Sequence, residues 1–371
     1  MMVVIVGKIC IIAYYSNLLT HMKKIILLLI LTKFITSCSN DGNEAKEENN
    51  ISDGKFIAVG SKYSRNRDNN FSQLASIWVD GVPTTLSNTG TSVADAVAFY
   101  NNDLYIAGTE SLGNGNQILK LWKNNTSQNL TDGNHHVEAT NIVINQENVY
   151  ISGNEYSGSL NSSLATFWKN GQATHLTDQV SEANAIYIHN NDIYVTGFKV
   201  IDNKKTAVVW KNGIETVLYV EDNDLESIGT DIYVDNGNVY VTGCLRNSVK
   251  SAAVIWKNKM ITTLSDENNY SETRALFVHN SDVYIVGCDI DTHDYDFVGK
   301  IWKNGTLVKE INNGNPECIT VKNNKIYIGG SGLDDRGMNQ EGKIWEAELN
   351  NLDFLAKYKF PNDEIKAVLI K

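Results

Sequence analysis

The chain has 371 residues, of which 42% are hydrophobic, 20% charged and only three proline, and its net charge is −11. That apolar content can build a core, and abundant Asn, Asp, Gly, Ser and Thr suit many short strands joined by turns. A chain this acidic is repelled by phosphate backbones, which excludes nucleic acid as an expected partner.

In chain order, Met22-Lys23-Lys24 precedes the apolar run from Ile25 to Leu31, then Lys33, then Ile35-Thr36-Ser37-Cys38. A basic start, a short apolar run and small residues before a cysteine form an export signal, and the run is too short to span a bilayer comfortably. Ile35-Thr36-Ser37-Cys38 resembles the lipobox of bacterial lipoproteins. That resemblance implies cleavage before Cys38, acylation of Cys38 and a lipid-anchored address at the outer membrane or cell surface. Met22 reads as the true start of the signal. The alternative, an irregular membrane anchor over Val3 to Ile35, is interrupted by Lys23, Lys24 and Lys33. Losing residues 1–37, with their four lysines and no acid, would take the net charge from −11 to −15. Residues 38–53 lack apolar periodicity and read as a flexible acidic tether.

From residue 54 onward the chain repeats. Seven tryptophans (Trp78, Trp122, Trp168, Trp210, Trp256, Trp302, Trp345) recur every 42–46 residues. Seven glycines keep the same beat: Gly60, Gly108, Gly153, Gly197, Gly243, Gly287 and Gly329. Each repeat reads as two hairpins. The first is seen in Ala185 to Gly197, where β-branched and aromatic runs flank an Asn/Asp turn. The second is seen in Ala207 to Leu218, turning at Asn212-Gly213, with Asn170-Gly171, Asn304-Gly305 and Asp80-Gly81 in the same role. Four antiparallel strands, A to D, in about 40–50 residues make one propeller blade, so the fold class is all-β, a seven-bladed β-propeller over 54–371. The strand C tryptophans and the strand B tyrosines (Tyr105, Tyr150, Tyr194, Tyr240, Tyr284, Tyr327) read as filling between blades. The first repeat begins at strand B, and Glu364 to Ile370 matches a strand A with nothing after it. Placing that last strand in the first blade closes the ring and removes open edges. The segment from Ile228 to Gly243 resembles the SBBP and NHL classes of β-propeller repeat, a resemblance that implies fold and not function.

The short A–B and C–D turns belong at one end of the strands, and the B–C and D–A connections at the other, where binding usually falls. Those connections read as acidic: Asp132 and Glu138; Asp178 and Glu182; Glu221, Asp222, Asp224 and Glu226; Asp266, Glu267 and Glu272; and the run Asp289, Asp291, Asp294, Asp296. The candidate ligand-binding residues are Asp289, Asp291, Asp294 and Asp296, with Asp222 and Asp224 next. Their field suits a cationic ligand, a basic protein surface or Ca²⁺, although the spacing is not that of an EF-hand and solvated acidic loops have the same composition. His135-His136 beside Asp132 and Glu138 reads as an exposed pair or a metal or acid/base cluster. Cys244, Cys288 and Cys318 read as buried free thiols, with a Cys288–Cys318 bond as the alternative. No short catalytic motif occurs. A monomeric, non-enzymatic binding module for a protein, glycan or small polar ligand is expected, with no resident cofactor. The alternative is a glycoside hydrolase or lyase using loop carboxylates.

Overall fold

The computed structural model describes residues 54–371, apart from 66–70, 88–89, 125, 157–161, 219, 221–224, 266–269, 291–296, 335 and 338. The signal, Cys38 and the tether therefore lie outside the described residues. Twenty-eight strands follow one another, four to a blade. The A strands are Ser92–Tyr100, His136–Asn145, Ser181–His189, Glu226–Asp235, Tyr270–His279, Gly314–Lys322 and Asp363–Ile370. The last of these pairs antiparallel with strand B of blade 1, Phe56–Arg65, in the order A-B-C-D drawn from both ends of the chain. Every A strand packs against the A strands of the blades on either side, and the seven close into a ring around an axial channel. A single parallel bridge, Ser251 to Tyr270, joins blades 5 and 6.

Each tryptophan sits on strand C and packs against the preceding blade. Trp122 joins Ile57, Val59 and Ala75 of blade 1, and Trp210 joins Tyr150 and Ala165 of blade 3. All seven are at most 4% exposed. Roughly 200 Å² of indole surface at roughly 25 cal/mol/Å² contributes about 5 kcal/mol per tryptophan, an upper bound because unfolded chains already bury some of it. Serines at the start of the A strands add inter-blade bonds: Ser92, Ser181 and Ser227 accept from Ala75, Ala165 and Ala207 of the preceding blade, each at 2.9 Å.

The Trp-Lys-Asn hairpin does more than turn the chain. Asn124, Asn170, Asn212, Asn258 and Asn304 use the positive φ that their C–D turns require. Their side-chain oxygens also accept from the amides of the second residues of strand B, Leu104, Val149, Ile193, Val239 and Val283. The preceding lysines lie over the strand B tyrosines, as in Lys123 on Tyr105 at 5.0 Å and Lys303 on Tyr284 at 5.2 Å. Lys123, Lys211 and Lys303 also pair with Asp103, Asp192 and Asp282 of the A–B turns at 2.7–2.8 Å. Blade 7 reverses the signs, with Lys325 in strand B paired to Glu346 on strand C at 2.5 Å. The A–B and C–D turns thus lie at one end, as the hairpin reading requires, and form a uniform, bonded face. At the other end the D–A connection is reduced to one residue twice, Asn313 before strand A of blade 7 and Asn362 before that of blade 1. Those two corners depart from the expectation of long D–A loops throughout.

Without its terminal strand, blade 1 exposes strand B as an open edge and the ring loses its closing pair. Deletion of residues 364–371 should leave the protein aggregated or without a cooperative thermal transition. An unchanged melting curve for the truncated chain would contradict the closure.

Candidate functional site

The functional geometry starts from an irregularity that recurs in every blade. Each A strand carries one extra residue, a β-bulge, opposite strand B. The bulged residues are Lys366, Asp95, Thr140, Asn184, Thr230, Arg274 and Glu317, for blades 1 to 7 in order. The bulge drives the carbonyl of the residue two places earlier against strand B, and the repeat glycine sits there. A Cβ on Gly60, Gly108, Gly153, Gly197, Gly243 or Gly287 would lie 1.8–2.1 Å from that oxygen. In blade 7 the residue in this seat is Gly330, where a Cβ would lie 2.2 Å from Asn315 O, and not Gly329 as the sequence spacing suggested. Only glycine permits so close a backbone approach.

Bulged side chains and those two places earlier face the channel together. Glu364 pairs with Lys366 at 2.6 Å, Glu272 with Arg274 at 2.5 Å, and Asn315 donates to Glu317 at 2.8 Å. The bulges also bond from blade to blade. Thr140 donates to Ala183 O at 3.0 Å, Asn184 to Gly229 O at 2.7 Å, and Thr230 bonds Thr273 at 3.0 Å. Blades 3, 4 and 5 thus form a neutral hydrogen-bonded arc. Blades 6, 7, 1 and 2 form a charged one, Arg274, Glu317, Lys366 and Asp95 in alternating sign. On the loop side of this belt stand Glu138, Glu182, Glu272 and Glu364. Counting both levels, six carboxyl groups, Asp95 among them, face two cations.

Glu138, Glu182 and Glu272, read from sequence as loop acids, therefore belong to the A strands and line the axis. A bulge shifts the inward-facing parity by one residue, so the apolar alternation begins only after it and the strand start is hidden. Toward the turn end, the channel wall becomes aromatic, with Tyr187 on Tyr233 at 4.5 Å and Tyr233 beside Phe277 at 5.7 Å.

Two carboxyls in this wall hold their protons unusually firmly. Burial pushes Asp95 up to about 7, with Lys366 opposing and Glu364 and Glu138 assisting. Burial also pushes Asp231 up to about 7, against the amides of Leu276 and Ile232 that bond it at 2.8 Å. Burial works against the Arg274 charge, but Glu317 and Glu272 more than offset it and the guanidinium pKa rises.

Of the six candidate aspartates, Asp289 lies within the described residues. Its carboxylate accepts from Ser271 Oγ at 2.5 Å and pairs with Lys300 at 3.0 Å, which also holds Glu310. Asp222, Asp224, Asp291, Asp294 and Asp296 lie outside them. The histidine pair splits: His136 approaches Glu138 at 3.4 Å and Gly115 O at 3.3 Å, while His135 lies 4.0 Å from Glu155, which His175 bonds at 2.8 Å. Among the described residues no group of three or more His, Cys, Asp or Glu side chains is placed to share a metal ion. Cys244, Cys288 and Cys318 are free thiols, so Cys288 and Cys318 do not bridge, and burial pushes each thiol up to about 12.

No family model matches this sequence, and no curated protein matches it. Solved structures do. The β-propeller domain of the Trilobed protease from Pyrococcus furiosus aligns with a TM-score of 0.51 at 10% identity, over 81% of this chain and 93% of that one. That domain has an open velcro topology, whereas the present ring is closed by its last strand. An acylaminoacyl peptidase in complex with Z-Gly-Gly-Phe-chloromethyl ketone aligns at 0.50 and 10% identity, over 80% of this chain and 50% of that one. TolB from Acinetobacter baumannii aligns at 0.45 and 12% identity, over 69% and 62%. The chain spans about half the length of the peptidase and 62% of TolB. At such identities the likeness is one of fold: the chain is a β-propeller.

The repeat supplies its own controls for the two protonated carboxyls. Asn184 occupies the position of Asp95 one blade after Thr140, and Asn141 occupies that of Asp231, accepting from its neighbour's amide at 2.6 Å. Each aspartate titrates near 3.8 when unfolded and near 7 when folded. The folded state therefore holds the extra proton between those values, and stability falls as pH rises through that window. Asp95→Asn should raise Tm at pH 8 by roughly 2–4 °C and change it little at pH 4, whereas Asp231→Asn, which leaves a single acceptor for the amides of Ile232 and Leu276, should lower Tm at pH 4. Thermal melts at both pH values check this, and a lowered Tm of Asp95→Asn at pH 8 would contradict it.

Proposed function

We propose that this chain is a membrane-tethered, non-enzymatic binding propeller, anchored through Cys38, whose axial mouth takes a cationic group of a partner. The observation that carries the reading is the excess of carboxylates at the loop end of the channel, where low-dielectric walls focus a negative field. The loop ends differ from blade to blade while the turn face repeats, which favours the same end for recognition. The acidic loop residues Asp222, Asp224, Asp291, Asp294 and Asp296 extend that field in sequence, while Asp289 beside them is neutralised by Lys300, and Ca²⁺ is a further candidate cation. The lipobox resemblance supports the tether and a location at the outer membrane or cell surface. The resemblance of the Ile228 to Gly243 segment to the SBBP and NHL repeat classes supports the fold and carries no ligand.

Hexalysine peptide is a suitable probe for the full-length chain in detergent. It should bind with a salt-dependent affinity, and Glu138→Gln with Glu182→Gln should weaken binding by about tenfold, while Asp235→Asn on the turn face should not. Binding that ignores both salt and the double substitution would refute the cationic site. Cys38→Ala should move the protein out of the membrane fraction or stall its processing, because stable anchoring needs the several acyl chains that lipoprotein processing adds. Unchanged fractionation would favour an anchor upstream.

A second reading, a glycoside hydrolase or lyase, draws on one observation. Asp95 keeps a proton to about pH 7 beside Glu138 and Glu364, the pattern of a general acid near ionised carboxylates. Under that reading Asp95→Asn abolishes turnover of a polysaccharide panel. Under the binding reading the parent chain turns over none of it.

A further inference from the structure

The two ends of the ring differ in charge. Every blade places a lysine at the turn end: the five that follow the tryptophans of blades 2 to 6, Lys55 in blade 1 and Lys325 in blade 7. Besides the pairs described above, Lys55 is matched by Asp80 at 3.7 Å. Lys169 and Lys257 instead lie over Tyr150 and Tyr240, at 5.4 and 5.3 Å, with no carboxylate paired to them among the described residues. Lys259 is exposed in the same turn as Lys257. With Lys322 these leave the turn end net positive against Glu147 and Asp235, in a chain whose net charge is −11.

Apolar surface follows the same end. Ile214 and Met260, the first residues of strand D in blades 4 and 5, are 74% and 70% exposed, and Val82 holds the same place in blade 1 at 67%. Exposed aliphatic residues scattered singly are common, but three at one structural position beside lysines make the amphipathic rim of a surface that meets a bilayer. The chain also enters the propeller here. Gly54 N donates to Lys371 O at 2.8 Å, and Phe56 N donates to Asp80 of the neighbouring C–D turn at 3.1 Å. Residues 38–53 therefore join Cys38 to the turn end. The opposite end carries Glu138, Glu182 and Glu364, which an anionic leaflet repels. Attachment and attraction act at one end and repulsion at the other.

We propose that the turn face rests on the anionic bilayer that holds the lipid of Cys38, with Ile214 and Met260 at headgroup level and the acidic mouth directed away from the membrane. The inference rests on the tethered reading above and adds which face the membrane takes. Met260 and Val249 allow a test within one blade, because both are 70% exposed and they lie beyond opposite ends of strand C, Ser251–Lys257. The acylated full-length chain, with a fluorophore on Met260→Cys or Val249→Cys, is floated with vesicles containing about one third phosphatidylglycerol and a lipid-borne nitroxide quencher. The parent chain, whose body thiols are held protonated by burial, supplies the labelling blank. Quenching should be at least about threefold stronger for the Met260→Cys label than for the Val249→Cys label. Lys169→Gln/Lys257→Gln/Lys259→Gln, at exposed positions, should bring the two toward equality, as should vesicles of phosphatidylcholine alone. Equal quenching of both labels, or stronger quenching of the Val249→Cys label, would overturn the inference, and so would a preference that neither change reduces. A parent chain that does not float refutes the tether and this inference with it, whereas a wrong face shows only on chain that has floated.

Discussion

The structure depends on one contact made seven times: a carbonyl pushed out by a bulge in strand A, seated on a glycine of strand B. A sheet that narrows toward an axis must bend and twist its innermost strand sharply, and a bulge does both with one extra residue. The displaced carbonyl then needs space that any Cβ would fill, which explains the glycine of every repeat more fully than a turn or a strand end would. The tryptophans work at the next radius, where the wedge between blades widens and a large flat side chain fills it.

The same contact determines where the molecule can vary. The extra residue is free of the pairing that constrains its neighbours, so its side chain can differ in every blade while the backbone stays fixed. Thr140, Asn184 and Thr230 use that freedom to bond the next blade. Arg274, Glu317, Lys366 and Asp95 use it to place charge along the wall. Desolvation makes those charges expensive, and the shared proton demand around Asp95 is the visible cost. The neutral and charged halves of one belt thus arise from a single backbone device filled with different side chains.

Much of this was legible in the sequence. The blade number, the strand order and the closure by the last strand all followed from the tryptophan beat, the Asn-Gly hairpins and the incomplete first repeat, because these are local signals repeated seven times. The channel lining was not legible. The bulge breaks the two-residue alternation that marks a strand, so Glu138, Glu182 and Glu272 looked like loop residues. The double glycine at Gly329 and Gly330 hid which of the two takes the carbonyl. Asp289 looked like a loop ligand because its partner Lys300 lies on the adjacent strand, which no short motif reports. A signal was present nonetheless: six of the repeat glycines, and Gly330 in blade 7, pair with a residue just before a polar one in strand A, and aligning the repeats on that polar residue locates the belt.

The most direct test of the glycine seat compares two substitutions of one kind. In Gly197→Ala the new Cβ would meet Glu182 O at 1.8 Å, whereas in Gly237→Ala, at φ 75°, nothing lies within 4 Å. Equilibrium unfolding of both should give a cost of about 1–2 kcal/mol for Gly237→Ala, the ordinary penalty of a left-handed backbone. Gly197→Ala should cost several kcal/mol or lose the cooperative transition altogether. Equal and modest costs for the two would contradict the claim that the bulge and its glycine hold the ring.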